Sequence, residues 1–288
     1  MVKLKYTFKT DTLFKLLFVK YPHLLKKLVA VLLGIRLESI EQFTIRNADI
    51  PPETVGDKFC RLDINMLVDG QIVALEVQVE DEKDYPFRSL YYWAREYSTA
   101  LSEGKDYLLL PRTIIVSIVN FKLFDCAEFH SEFQALEVTR HTPLTDKMCL
   151  HYFELPKLPK TISKDSELLM WLALFNANTE EDLKKIESLE VSDMEQAINA
   201  YRHVTATDEF KEIERQRSRA RHNEAAALRH AAEIEREKWQ VIVAEKDAEK
   251  DTALAEKDAE NKIALAEKDA EIERLRKQIA EVQATKEN

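Results

Sequence analysis

In the run from Arg61 to Glu80, RLDINMLVDGQIVALEVQVE, two acids interrupt segments that otherwise read as β-strands: Asp63 in the first and Glu76 in the second. Asp is depleted in strand interiors. Between the segments, Asp69-Gly70 is a strong signal for a two-residue hairpin loop. With that loop Val68 faces Gln71, Asp63 falls directly opposite Glu76, and Arg61 falls opposite Gln78. A three-residue loop would instead set Asp63 against Val77. Side chains directly opposed across strands have Cβ atoms about 4.5–5.5 Å apart, where like charges destabilise. A divalent cation between the two carboxylates offsets that repulsion, and Mg²⁺ commonly takes one or two carboxylates plus waters. The competing reading is a solvent-exposed sheet face, on which acids are ordinary.

The flanking sequence must supply the elements that hold this pair. Alternation places Leu62, Ile64, Met66 and Val68 on one face with Val73, Leu75, Val77 and Val79, an apolar surface that must meet helices. Upstream, DTLFKLLFVKYPHLLKKLVAVLLGI from Asp11 repeats leucines at helical spacing. Pro22 divides it into two helices and Gly34 ends the second. A short strand is expected at Ile40–Ile45, a loop at 47–57 and a helix at 86–103 before Gly104. Further strands are expected at Thr113–Phe124, Phe129–Val138 and Met148–Leu155. Helices mixed with a sheet of mixed direction indicate an α/β or α+β fold.

All four glycines and all eight prolines lie at or before Pro159, so the rest of the chain reads as helix. The expected organisation is a domain over residues 1–160, a helical extension packed on it over 161–207, and a charged long helix or coiled coil over 208–288. Thr179 before Glu180-Glu181-Asp182 is a helix start. Near the end, AEKDAEKDTAL, AEKDAENKIAL and AEKDAEIERLR repeat with period eleven, which keeps a stripe of mostly alanine in register. That tail reads either as a weak coiled coil joining subunits or as a solvated helix held by charge pairs.

Residues 1–160 are close to neutral, and residues 161–288 carry nearly all of the net charge of −10. The acidity argues against coating nucleic acid non-specifically but leaves room for a local basic groove. The helix from Lys211 to His230 holds a basic cluster, read as a DNA-backbone contact or a solvated run of mixed pairs. Cys60, Cys126 and Cys149 show no CxxC spacing and read as three small buried residues. The histidines form no HxxxH or HxH pair, so neither suggests a zinc site. No signal peptide and no membrane-length apolar run are evident, and a cytoplasmic protein is expected.

Several ordered motifs together carry a resemblance: TDTLFKLLF, then KFCRLDINMLVDGQIVALEVQV, then FRSLYYWAREYSTALSEGKDY, then TIIVSIVNFKLF. From about Thr10 to Lys160 the chain resembles the PD-(D/E)XK nuclease superfamily, and within it the Rpn group of recombination-promoting nucleases and transposases. The resemblance implies a restriction-endonuclease-like core, a mixed sheet flanked by helices. It implies a Mg²⁺- or Mn²⁺-dependent DNA endonuclease linked to recombination or transposition. Asp63 and Glu76 would be the metal ligands, and Gln78 would stand at the position of the family's usual Lys. Gln can orient a water through hydrogen bonds but brings no positive charge. Lys58 or Arg61 is expected to supply it, unless Arg61 pairs with Gln78 or an acid instead. Asp11 matches an acidic position at the start of the family's first helix, read as a further ligand or, in preference, as an N-cap. Arg88 on the helix after the hairpin is read as a phosphate contact, while Tyr91 and Tyr92 read as packed rings. The rival readings are a non-cleaving DNA-binding protein of the same fold, and an oligomeric scaffold assembled as a homo-oligomer through the C-terminal helix.

Overall fold

The structure is a computed structural model and describes residues 2–46, 49–50, 60–101 and 104–286. The chain forms two compact units, one ending at Arg215 and one starting at Gln216. In the first, helices α1 (Asp11–Lys20) and α2 (Pro22–Leu32) lead into strand β1 (Phe43–Arg46). The short β2 (Asp49–Ile50) and β3 (Cys60–Arg61) pair with each other. The hairpin β4 (Ile64–Val68) and β5 (Gln71–Gln78) follows, then helix α3 (Tyr85–Thr99). Strands β6 (Thr113–Val119), β7 (His130–Phe133) and β8 (Met148–Glu154) complete the sheet. Helices α4 (Glu167–Asn176), α5 (Glu180–Glu187) and α6 (Ser192–Ala206) precede the long α7 (Asp208–Lys286).

Local signals account for most of the boundaries. Pro22 occupies the first turn of α2, where its missing N–H costs nothing. Gly34, at φ +65°, follows that helix in the left-handed conformation. The hairpin turns on Asp69 (φ +48°) and Gly70 (φ +77°), a two-residue loop with both φ values positive. Thr179 and Asp182 form a reciprocal capping box at α5.

The six strands run in the order β1-β4-β5-β6-β8-β7. The pairs β5–β6 and β6–β8 are parallel; the remaining pairs are antiparallel. Each face of this mixed sheet has its own apolar cluster. Met66, Leu75, Val116 and Phe153 pack with α1, α2, α4 and α6 through side chains such as Phe18, Leu28, Trp171 and Ile198. Ala74, Ile115 and Tyr152 pack on the other side with Tyr85, Tyr92 and Trp93 of α3. The α4 helix is hydrophobic on nearly all sides because it is nearly fully enclosed. Phe210, in the first turn of α7, is also fully buried in the larger cluster.

Some expected spans shorten. The first strand is Phe43–Arg46 rather than 40–45, because Leu37–Ser39 make a turn of 3₁₀ helix and Ile40 packs as a core residue. The α3 helix stops at Thr99, and β6 stops at Val119. Cys149 is buried as expected, but Cys126 is exposed. In the second unit α7 continues as helix to Lys286. Among the described residues, no helix is long and apolar enough to cross a membrane.

Candidate active site

The hairpin register is the two-residue one. Val68 pairs with Gln71 and Ile64 with Leu75, which sets Asp63 level with Glu76 just beyond the last ladder pair. The strand is not continuous through the site. It breaks at Leu62 and Asp63, and Leu62 joins the α3-side cluster rather than the face of Ile64 and Met66. The expected pairing of Arg61 with Gln78 is thereby lost: Arg61 pairs with Asp49 in the separate β2–β3 ladder. The side chain of Arg61, and all of Lys58, lie outside the described residues.

That break turns Asp63 toward its partner. The Asp63 amide N–H donates to Glu76 Oε1 at 2.7 Å, and the Val77 N–H donates to Asp63 Oδ2 at 2.9 Å. Each carboxylate thus has one oxygen held by a backbone amide across the hairpin. The other oxygens, Asp63 Oδ1 and Glu76 Oε2, are the ones that a cation would take. The reading of an exposed sheet face does not survive: Glu76 is 7% exposed, and the side chain of Asp63 is 17% exposed.

Burial makes these acids unusual. Desolvation raises the Glu76 carboxyl well above its ordinary range, and the neighbouring Asp63 raises it further. Desolvation raises Asp63 as well, although Lys15 and the Val77 amide pull the other way. Two desolvated carboxylates that resist joint ionisation fit a divalent cation, whose oxygen-rich shell commonly includes one or two such ligands.

Lys15, which the sequence reading did not single out, enters this site from α1. Its Nζ lies 2.7 Å from Asp11 Oδ1 and 3.0 Å from Asp63 Oδ1. Burial works against the charge, but Asp63 and Asp11 more than offset it and hold the ammonium above its usual range. The available signal was the i,i+4 spacing of Asp11 and Lys15, which brings both to one point on the helix surface. Asp11 is not the N-cap. Thr10 holds that position, and Asp11 is the first helical residue, paired with Lys15.

Gln78 lies at the end of β5, two residues beyond Glu76. Its Oε1 accepts from Arg88 Nη2 at 2.8 Å, and its Nε2 donates to the Glu80 carbonyl at 2.9 Å. Arg88 also pairs with Glu82, and its guanidinium lies 5.1 Å from the centre of the Tyr85 ring. The Tyr85 hydroxyl donates to Ser117 Oγ at 2.9 Å, and Ser117 is the register partner of Glu76 on β6. Arg88 thus bonds both Gln78 and Glu82. Tyr92 packs against the α3-side cluster, whereas Tyr91 is exposed. A further buried acid escaped the sequence reading: Glu96, 2% exposed, accepts from Asn65 Nδ2 at 2.6 Å and lies 3.4 Å from Arg46.

No curated protein and no solved structure matches the chain. The family model described as PD-(D/E)XK nuclease family transposase matches residues 8–231. That span takes in Asp11, Lys15, both buried carboxylates, Gln78 and the whole mixed sheet, and it runs past the resemblance seen at Thr10 to Lys160 into α7. With this span of the chain matched and a mixed sheet flanked by helices, the chain belongs to the PD-(D/E)XK nuclease family transposases.

Proposed function

We propose that this chain is a divalent-metal-dependent DNA endonuclease acting in recombination or transposition, with Asp63 and Glu76 as metal ligands and Gln78 as the residue that orients water. The observation that carries the reading is the buried carboxylate pair, set level by the hairpin and kept at high proton affinity by desolvation and mutual repulsion. Mg²⁺ or Mn²⁺ held there would polarise the scissile phosphate and lower the pKa of the attacking water.

The chain's own residues supply the rest. Gln78 keeps a second amide hydrogen and a second carbonyl lone pair beyond its bonds to Glu80 and Arg88, enough to hold a water in a fixed orientation. Lys15 brings the positive charge that Gln at this position lacks, and its place beside Asp63 suits it to stabilise charge developing on a phosphate. Asp11 anchors Lys15 from one helical turn away. A cation held by Asp63 would compete with Lys15 for Oδ1, which would leave the ammonium available to the substrate phosphate.

The same ion pair favours one rival. Because Lys15 already neutralises Asp63, a protein that binds DNA without cutting it is the second reading. Plasmid nicking in Mg²⁺ and in Mn²⁺, paired with metal titration by calorimetry, separates the two. The nuclease reading expects metal binding and nicking in the parent, with both lost in Asp63→Ala/Glu76→Ala. Salt-sensitive DNA binding that ignores metal and yields no product would support the rival.

A further inference from the structure

At the far edge of the sheet, β7 and β8 gather side chains of a different chemistry. Glu132 on β7 is the register partner of His151 on β8, and Cys149 lies two residues before His151. Residues related in this way project from one face. Cys149 Sγ is 3.1 Å from His151 Nε2 and 3.4 Å from Glu132 Oε1. All three ligand atoms lie within 4.8 Å of one another, and among the described residues no other group of three such side chains converges in this way.

We propose that Glu132, Cys149 and His151 form a transition-metal site that takes a zinc-class ion through thiolate, imidazole and carboxylate. Tetrahedral zinc with bonds of about 2.3 Å to sulfur and about 2.0–2.2 Å to nitrogen and oxygen sets its ligand atoms roughly 3.3–3.7 Å apart. The Cys149–Glu132 separation of 3.4 Å already falls in that range, and the Cys149–His151 separation of 3.1 Å needs to open by only a few tenths of an ångström. Glu132 is solvent-exposed while Cys149 and His151 are buried, so the ion has an entry path, and a water completes the fourth position.

The surroundings suit the role. His151 Nδ1 lies 3.0 Å from His130 Nε2, so His130 can accept the second N–H of a metal-bound His151 and fix its tautomer. The His130 ring is itself held by stacking on Phe153, with centroids 4.3 Å apart. The positive charge of Arg112 favours the thiolate form of Cys149, against the stronger effects of burial and Glu132. Without an ion, burial holds His151 down at about 4, so its imidazole is neutral, and holds the Cys149 thiol up at about 11. Binding therefore forms a metal–sulfur bond and releases the thiol proton to solvent.

The donor sets of the two sites select different ions. Thiolate and imidazole favour zinc-class metals, whereas the Asp63/Glu76 pair suits hard cations. The ion would tie the edge strand β7 to β8 and is separate from the cleavage chemistry.

The test uses the full chain, free of any polyhistidine tag and stripped with chelator, titrated with Co²⁺ as a spectroscopic probe. One equivalent should produce a sulfur-to-cobalt charge-transfer band that Zn²⁺ then displaces. The band should persist in Cys126→Ser, in Cys60→Ser and in Asp63→Ala/Glu76→Ala, and vanish in Cys149→Ser. His130→Ala should keep the band and weaken affinity by about 10–100-fold. X-ray absorption of the zinc-loaded parent should show one sulfur at about 2.3 Å with nitrogen or oxygen neighbours, a readout that needs no variant. Absence of the band in the parent, its survival in Cys149→Ser, or a zinc shell of oxygen and nitrogen alone would overturn the proposal.

Discussion

The Asp63 backbone amide donates to Glu76 Oε1 at 2.7 Å, so one acid of the pair holds the other through its main chain. Glu76→Gln keeps an acceptor oxygen for that bond while removing the charge. The variant should fold, and its metal-free form should be more stable than the parent by about 1 kcal/mol, since like charges set opposite one another destabilise. Cleavage should fall by roughly a hundredfold or more, the scale of the several kcal/mol that a bound Lewis acid supplies. Thermal melts and plasmid nicking on the same preparation check both halves. A variant that nicks as fast as the parent removes Glu76 from the mechanism.

Proton linkage gives a second test. Desolvation and Asp63 raise the Glu76 carboxyl, and Asp63 and Glu96 are raised in the same direction. A carboxyl raised in the folded state binds its proton more tightly there than in the unfolded chain. Its stabilising contribution is then complete below the unfolded value, near 4.5 for Glu, and is lost as pH rises through the raised folded value. The chelated protein should therefore lose melting temperature from mild acid toward neutral pH, and divalent metal should restore it at the neutral end. Glu76→Gln should flatten the slope by its share. A metal-free melting temperature that rises across this window contradicts the assignment.

Lys15 should separate binding from chemistry. Removing it in Lys15→Met frees Asp63 Oδ1 from its 3.0 Å ion pair. Metal affinity should rise and the cleavage rate should fall by about a hundredfold, the worth of one well-placed electrostatic donor. Lys15→Arg should recover part of the rate. Calorimetry and single-turnover cleavage report the two effects independently, and unchanged cleavage in Lys15→Met would reduce Lys15 to a structural ion pair.

Arg88 and Gln78 should behave as one unit. Their 2.8 Å hydrogen bond implies that Arg88→Ala acts through the Gln78 amide. Single variants and the double variant Arg88→Ala/Gln78→Ala should be non-additive in the free energy of the cleavage barrier by about 1 kcal/mol or more. Additive effects would show that Arg88 meets the DNA on its own.

Trp171 tests the scaffold. It is 1% exposed and packs in the cluster that also holds Phe18 of α1, about two turns or less from the Asp11–Lys15 pair. Trp171→Ala should cost about 3–5 kcal/mol in denaturant unfolding. A much smaller loss would mean that the core closes over the gap.

Local sequence determined a good deal of this protein. The Asp69-Gly70 turn set the hairpin register and so placed Asp63 level with Glu76, because a two-residue loop leaves no freedom in strand pairing. Pro22, Gly34 and the Thr179 box marked helix ends by backbone constraints that act within a few residues. The family resemblance was legible in the order of motifs along the chain and agrees with the match over residues 8–231. Tertiary structure decided the rest. Strand alternation could not foresee the break at Leu62–Asp63, which arises where the chain leaves one ladder for another. Nor could it show that α3 covers the acid-bearing face, which turns ordinary-looking carboxylates into buried ones with raised proton affinity. Lys15 reaches Asp63 from 48 positions away in the chain, and Glu132 meets His151 only because β7 returns beside β8. Charge, desolvation and ligand geometry depend on distances in space, and only the packed sheet and its helices set those distances.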